Sequence, residues 1–148
     1  MRNPFDFISR QWQSWGFGVQ SPWAYSFVKE VIKERLPYYD YYLIDRKFLN
    51  EEDRKRQKLY LRLRNRYPNC RFYSLKGDLK TNQELINNED ICFDEVFVLE
   101  GIRDNKLLYE KWLTIRDKNA VGVTFDLYDI AICFPANDKF KQHYKLNY

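Results

Sequence analysis

The feature that most constrains the fold is a short, unbroken apolar run near the middle of the chain. Val96-Phe97-Val98-Leu99 is preceded by an acidic residue and followed by Glu100-Gly101. A continuous apolar run of this length is typical of a strand buried on both faces of a parallel sheet. Ligands of open parallel sheets bind beyond the carboxyl ends of the strands. The residues that follow Leu99 are therefore where a binding crevice is expected.

Length and composition favour one small domain. The chain has 148 residues, of which 45% are hydrophobic, and this is enough to bury one sizeable core. We expect a single domain over residues 1–148, with residues 1–20 forming an arm that packs on the body. The chain has neither the roughly 20 consecutive apolar residues of a membrane span nor a signal-like apolar start. We therefore expect a cytoplasmic protein with no membrane partner.

The supply of metal ligands and nucleophile partners is small. Cys70, Cys92 and Cys133 are widely spaced and lie in or beside apolar segments, which is typical of reduced, packed cysteines. His143 is the only histidine, so a zinc site of mixed ligands and a Ser-His-Asp triad would both depend on that one residue. We predict no disulfide, no metal site and no catalytic residues.

Local signals predict alternating helices and strands. Ser21-Pro22 and Asn50 are typical helix starts, and a third helix is expected to begin near Asp104 or Asn105. The strands are expected at Cys70–Leu75, Glu95–Leu99, Val121–Leu127 and Ile130–Phe134, and the last two are separated by a hairpin spacing. The sequence thus predicts an α/β fold with a mixed sheet of about four strands, a C-terminal antiparallel hairpin and flanking helices.

A basic region with neighbouring tyrosines is the local signature of nucleic-acid contact. Lys55, Lys58, Arg62 and Arg66 follow one another at helical spacing on one face of the helix that begins at Asn50. Tyr38, Tyr39, Tyr41 and Tyr42 lie just ahead of it. One interpretation is phosphate binding by the basic face with bases stacked on the tyrosines. The other is a solvated charged face and tyrosines that pack over a helix seam.

Three segments carry a resemblance to a known family. They are Gly18-Val19-Gln20-Ser21-Pro22-Trp23-Ala24-Tyr25, Val96–Ile102, and Val121–Tyr128 running on to Lys141-Gln142-His143-Tyr144. In these segments the chain resembles a Bacteroidetes family of class I S-adenosylmethionine-dependent methyltransferase-like proteins. The resemblance covers the N-terminal and C-terminal thirds, and it implies a Rossmann-like methyltransferase fold.

The middle of the chain departs from that family. The family's first strand runs into a glycine-containing loop on the cofactor, whereas Cys70–Leu75 is followed by Lys76-Gly77-Asp78, with one glycine and a bulky lysine stem. Between Asp78 and Phe93 there are too few residues for the intervening strand and helix units. Gln20 also stands where family members tend to carry histidine. We therefore expect a truncated form of the fold.

The favoured hypothesis is a shortened, non-catalytic methyltransferase-like protein that acts through binding or self-association. We expect it to hold no cofactor. Loss of neighbouring strands would leave Cys70–Leu75 at a sheet edge, where it could pair with a second copy of the chain or with another protein.

The alternative is a residual S-adenosylmethionine-dependent methyltransferase. Its candidate cofactor-binding residues lie after the first two predicted strands: Lys76, Gly77, Asp78, Glu100, Gly101 and Asp104. Carboxylates that converge there could hold a metal ion or act as a base. The same acids also have structural explanations, because turns, helix caps and strand ends favour them. The basic helix face with Lys55, Lys58, Arg62 and Arg66 is the third interpretation.

Overall fold

A computed structural model of the protein describes residues 4–14, 19, 21–75, 91–136 and 141–148. The chain divides into two compact units, one of residues 1–18 and 69–148 and one of residues 19–68. We call them the sheet unit and the helical unit. The expectation of one domain over residues 1–148 stays a prediction. In the described ranges, no helix combines the length and the apolar character that crossing a membrane requires.

The sheet unit contains a five-stranded mixed sheet. Its strands are β1 (Arg71–Ser74), β2 (Phe97–Glu100), β3 (Val121–Asp126), β4 (Ile130–Pro135) and β5 (Gln142–Lys145), in the spatial order β1-β2-β4-β3-β5. β1 is parallel to β2, β4 is antiparallel to both β2 and β3, and β5 is parallel to β3. The predicted α/β class and terminal hairpin are confirmed.

The sheet has five strands where about four were predicted, because Gln142–Lys145 forms β5. Tyr144 is buried and its ring stacks on Phe125 of β3 at a centroid distance of 5.2 Å. β5 is only four residues long and three of them are polar, so its sequence gives little local signal for a strand.

In the described part of the sheet unit there are two helices. α1 (Pro4–Ser14) carries part of the predicted arm, and Asn147 donates from Nδ2 to the carbonyl oxygen of Phe7 and to Oε1 of Gln11, both at 3.2 Å. α5 (Lys106–Arg116) begins after Asn105, whose Oδ1 accepts the N–H of Leu108 at 2.9 Å. Trp112 of α5 is buried in the core of the sheet unit.

The helical unit is built from three α-helices. α2 (Pro22–Phe27) continues as a π-helical turn (Val28–Ile32), and α3 (Tyr41–Lys47) and α4 (Glu51–Arg66) follow. The predicted caps are confirmed: Ser21 Oγ accepts the N–H of Ala24, and Asn50 Oδ1 accepts the N–H of Glu52. α3 was not predicted, because none of its residues is fully buried and it has no side-chain cap.

Candidate functional site

The turn after β2 lies where the sequence places the crevice. Gly101 has a φ of 84°, a left-handed conformation that glycine adopts without a steric penalty. Its N–H donates to the carbonyl oxygen of Asp129 at 2.9 Å, and the N–H of Ile102 donates to the same oxygen at 3.2 Å. Asp129 belongs to the loop between β3 and β4. The amides of this turn are therefore already bonded within the chain.

An arginine–carboxylate cluster occupies the carboxyl end of β3, which is separated from β2 in the sheet by β4. Arg10 of α1 donates from Nη1 to Oδ1 of Asp126 and to its backbone oxygen, each at 3.0 Å. Arg103, which follows β2, donates from Nη2 to Oδ2 of the same carboxylate at 3.0 Å. Asp126 is thus held by two cations from separate parts of the chain, and its side chain is only 7% exposed.

Burial and charge act in opposite directions on Arg10. Burial disfavours the charged guanidinium, but the hydrogen bond and the charge of Asp126, with those of Asp6, outweigh it, so that the pKa of Arg10 lies above its usual value. The Nε of Arg10 also donates to Oδ2 of Asp6 at 3.1 Å. Arg10 therefore stays charged at any ordinary pH.

Aromatic rings complete this cluster. The guanidinium of Arg103 lies 4.5 Å from the ring centroid of Tyr109 and 4.9 Å from that of Tyr128. Tyr128 has a φ of 83°, which is unusual for a residue with a side chain, and its N–H donates to Oδ1 of Asp126 at 2.8 Å. The carboxylate of Asp126 thus binds two arginines and also holds the strained hairpin residue.

The structure describes only half of the predicted crevice residues. Lys76, Gly77 and Asp78 lie outside the described residues. Glu100 is partly buried at the end of β2, and its backbone oxygen accepts the N–H of Leu75 at 2.8 Å. Asp104 is exposed in the turn, and the N-cap of α5 is Asn105 rather than Asp104. Within the described ranges, no three acidic, histidine or cysteine side chains form a group that could hold a metal ion.

β1 lies at one end of the described strand order, where the sequence predicts an edge strand. The amides of Arg71 and Leu75 donate to backbone oxygens of Val96 and Glu100. Phe72 and Ser74 make further interactions within the chain. A homodimer or protein partner through Cys70–Leu75 stays a prediction. Light scattering after size exclusion tests it, and a monomer at high concentration would contradict the homodimer.

The four predicted nucleic-acid residues of α4 do not have equal access to solvent. Arg62 is buried and donates from Nε to the carbonyl oxygen of Val31 at 2.6 Å, and from Nη2 to that of Ile32 at 3.2 Å. Lys58 is partly buried. Lys55 and Arg66 are exposed. Nucleic-acid binding by this face stays a prediction, but Arg62 and Lys58 serve first to hold the helical unit together.

A shallow groove of about 370 Å³ lies beside the C-terminal half of α4. Its lining combines two acids with two arginines: Glu30, Val31, Glu34, Tyr38, Arg62, Asn65 and Arg66. The carboxylate of Glu34 accepts the backbone N–H groups of Arg35 and Leu36 at 2.7 and 2.8 Å. The groove is thus lined by as many negative as positive side chains.

Comparisons of the chain with protein-family models, with curated proteins and with solved structures found no match. The resemblance to methyltransferase-like proteins therefore stays a prediction.

Sequence reasoning missed the Asp126 cluster. One signal was present: Asp126 ends the apolar run of β3, and an acid at the end of a buried strand needs a cation or several N–H donors. Arg103 was near enough in sequence to the predicted crevice to be considered. Arg10 was not, because it is 116 residues from Asp126 and nothing local connects the two.

Proposed function

We propose that this chain is a shortened methyltransferase-like protein of the cytoplasm, with a truncated Rossmann-like fold, that acts by binding a partner and does not transfer methyl groups. One observation supports the proposal above all. The polar groups at the carboxyl ends of β2 and β3 are bonded to other groups of the chain: the amides of Gly101 and Ile102 to Asp129, and the carboxylate of Asp126 to Arg10 and Arg103.

The free-energy cost of breaking these contacts disfavours ligand binding at the carboxyl ends of β2 and β3. A nucleoside ligand at this end of the sheet would have to displace an arginine from Asp126 or the Asp129 carbonyl from the glycine turn. Breaking a buried ion pair costs about 3–5 kcal/mol. Micromolar affinity corresponds to about 8 kcal/mol of binding free energy. The cost of breaking the ion pair would thus cancel roughly half of the binding free energy of a micromolar ligand.

Titration calorimetry of the full chain with S-adenosylmethionine and with S-adenosylhomocysteine tests the proposal. We expect no binding heat for either ligand up to a concentration of about 1 mM, the weak limit of ordinary specific binding. The variant Arg103→Ala, which frees one side of Asp126, is titrated in parallel. Micromolar binding to the unaltered chain would contradict the proposal and favour the residual methyltransferase.

A protein that acts by binding needs an accessible surface that suits its partner, and the helical unit provides one. Residues 19–68 contain twelve Lys and Arg against seven Asp and Glu, a net charge of +5, whereas the rest of the chain has a net charge of −1. The same unit exposes Tyr39 and Tyr42 on and beside α3. This combination of cations and exposed aromatic rings favours a polyanionic partner with flat, stackable groups.

A further inference from the structure

α3 has two faces of opposite character. Tyr41 and Ile44 are partly buried and form the inner face. The outer face consists of exposed residues spaced as positions i, i+1, i+4 and i+5 of α3, and exposed Tyr39 lies in the turn just before the helix: Tyr42, Leu43, Arg46 and Lys47, with Tyr39. We call this set the outer stripe of α3. In an ordinary amphipathic helix, large apolar residues face the core, whereas here Tyr42 is 60% and Leu43 is 58% exposed, and Tyr39 before the helix is 89% exposed.

Side chains from α4 hold α3 in this orientation. Arg62 donates from Nη1 to the hydroxyl of Tyr41 at 2.8 Å, and Lys58 forms an ion pair with Asp45 at 2.7 Å. Arg54 donates from Nε to the carbonyl oxygen of Phe48, directly after α3, at 2.6 Å. Because α3 is fixed at both ends and in its middle, a ligand of the outer stripe need not order the backbone of this helix on binding.

The chemistry of the outer stripe fits single-stranded nucleic acid. Arg46 donates from Nη1 to the hydroxyl of Tyr42 at 3.1 Å, and its guanidinium lies 5.4 Å from the centroid of that ring. A cation thus lies beside an aromatic face that can stack on a base, which is how single-stranded nucleic acids are bound without base-specific contacts. Lys58 pairs with Asp45, which weakens the repulsion between this acid and a phosphate.

We propose that the outer stripe of α3 binds single-stranded nucleic acid, with bases stacked on Tyr39 and Tyr42 and with phosphates on Arg46 and Lys47. The proposal rests on the proposed function, in that it names the partner of a protein that acts by binding. Different experiments test the proposed function and this proposal, so that the failure of one can be told from the failure of the other. Calorimetry with S-adenosylmethionine reports on the carboxyl ends of β2 and β3, and oligonucleotide binding reports on α3.

Fluorescence anisotropy of the full chain with labelled oligothymidylate and oligouridylate of about 15 nucleotides tests the proposal. We expect saturable binding at low ionic strength, and the two probes distinguish DNA from RNA. Tyr39→Ala and Tyr42→Ala should each weaken binding about tenfold, as loss of one stacked base does. Tyr39→Phe keeps the ring and should retain the affinity. Tyr25→Ala is the matched control, because Tyr25 is also an exposed tyrosine of this unit but lies on α2.

The salt dependence isolates the phosphate contacts. The slope of log affinity against log salt should fall in magnitude by about 1.4 when Arg46 and Lys47 are both changed to Gln, since each phosphate contact of a single strand contributes about 0.7. Circular dichroism of each variant confirms that it is folded. Absence of binding at low ionic strength overturns the proposal, as does an equal loss in Tyr25→Ala and Tyr39→Ala. Binding of anionic phosphatidylserine vesicles without oligonucleotide binding would assign the stripe to lipid and also overturn it.

Discussion

In both units of this chain, arginines bind oxygen atoms of other segments, but the surfaces that remain exposed differ. In the sheet unit, Arg10 and Arg103 converge on Asp126 and occupy the end of the sheet where a ligand would bind. In the helical unit, Arg62 and Arg54 bind backbone oxygens and thereby hold α3 with its tyrosines outward. In both units a buried arginine thus holds separate segments of the chain together. In the sheet unit the arginines occupy the candidate binding surface, whereas in the helical unit they leave the outer stripe of α3 exposed.

The largest effect is expected from Asp126→Ala in the sheet unit. Removal of this carboxylate leaves Arg103 and the buried Arg10 without their shared partner, and breaking a buried ion pair costs about 3–5 kcal/mol. Urea unfolding followed by circular dichroism measures the loss. Asp117→Ala is the control, because Asp117 is 58% exposed and pairs with its neighbour Arg116, so that its removal should cost less than about 1 kcal/mol. Equal losses of unfolding free energy in the two variants would show that the Asp126 cluster does not stabilise the sheet unit.

Arg62→Met is the corresponding change in the helical unit. The carbonyl oxygens of Val31 and Ile32 and the hydroxyl of Tyr41 would each lose a charged donor, and we expect a loss of about 2–3 kcal/mol. The same urea titration measures it. Arg66→Met, on the exposed surface of the same helix, should change the stability by less than about 1 kcal/mol. If Arg62→Met is as mild as its control, the comparison between the two units does not hold.

The helix caps should show that the units do not differ in every respect. Asn50→Ala in the helical unit and Asn105→Ala in the sheet unit each remove a side-chain acceptor from a helix N-terminus. We expect a loss of about 1 kcal/mol in both cases, measured as the shift of the urea midpoint. No measurable loss at one of the two positions would show that its helix does not depend on the cap.

The smallest effect is expected from the titration of His143. Partial burial, together with the charges of Arg116 and Lys141, lowers the pKa of His143 below its usual value, against the weaker opposing effect of Asp117. The unfolded chain therefore binds the proton more readily than the folded chain. Stability conferred by the neutral ring is present above the unfolded pKa of about 6.5 and is lost as the pH falls through the folded pKa.

Urea midpoints at several pH values around and below 6.5 measure this loss, and His143→Gln is the control. His143 is the only histidine of the chain, so the variant should lose most of the pH dependence in this range. Its ring accepts from or donates to Thr124 through Nδ1 at 2.8 Å, and glutamine retains a polar group at the position. An unchanged pH dependence in the variant would contradict the assignment.

Local chemistry made the elements of the fold predictable. The caps at Ser21 and Asn50 and the apolar run that becomes β2 are signals within a few residues of the structure they cause. β5 was missed because its stability comes from pairing with β3 rather than from its own composition. α3 was missed because its large residues point to solvent, the reverse of the pattern by which a helix is recognised.

The sites were less predictable than the elements. The sequence drew attention to Glu100 and Asp104, whereas Asp126 has the cationic partners, one of which is 116 residues away. It also drew attention to the basic residues of α4, two of which hold α3. Spacing along a helix places side chains on a common face, but it does not reveal whether another element covers that face. The packing of α3 on α4 is what makes Arg62 and Lys58 less accessible to solvent than Arg46 and Lys47.

Chemical-shift mapping of the ¹⁵N-labelled full chain during titration with the oligonucleotide tests the central comparison most directly. We expect the amide signals of residues 39–47 to move in a saturable way while those of Gly101, Ile102 and Asp126 stay where they are. Shifts at Gly101 and Asp126 with residues 39–47 unmoved would show that the sheet end is the open surface and would contradict the account.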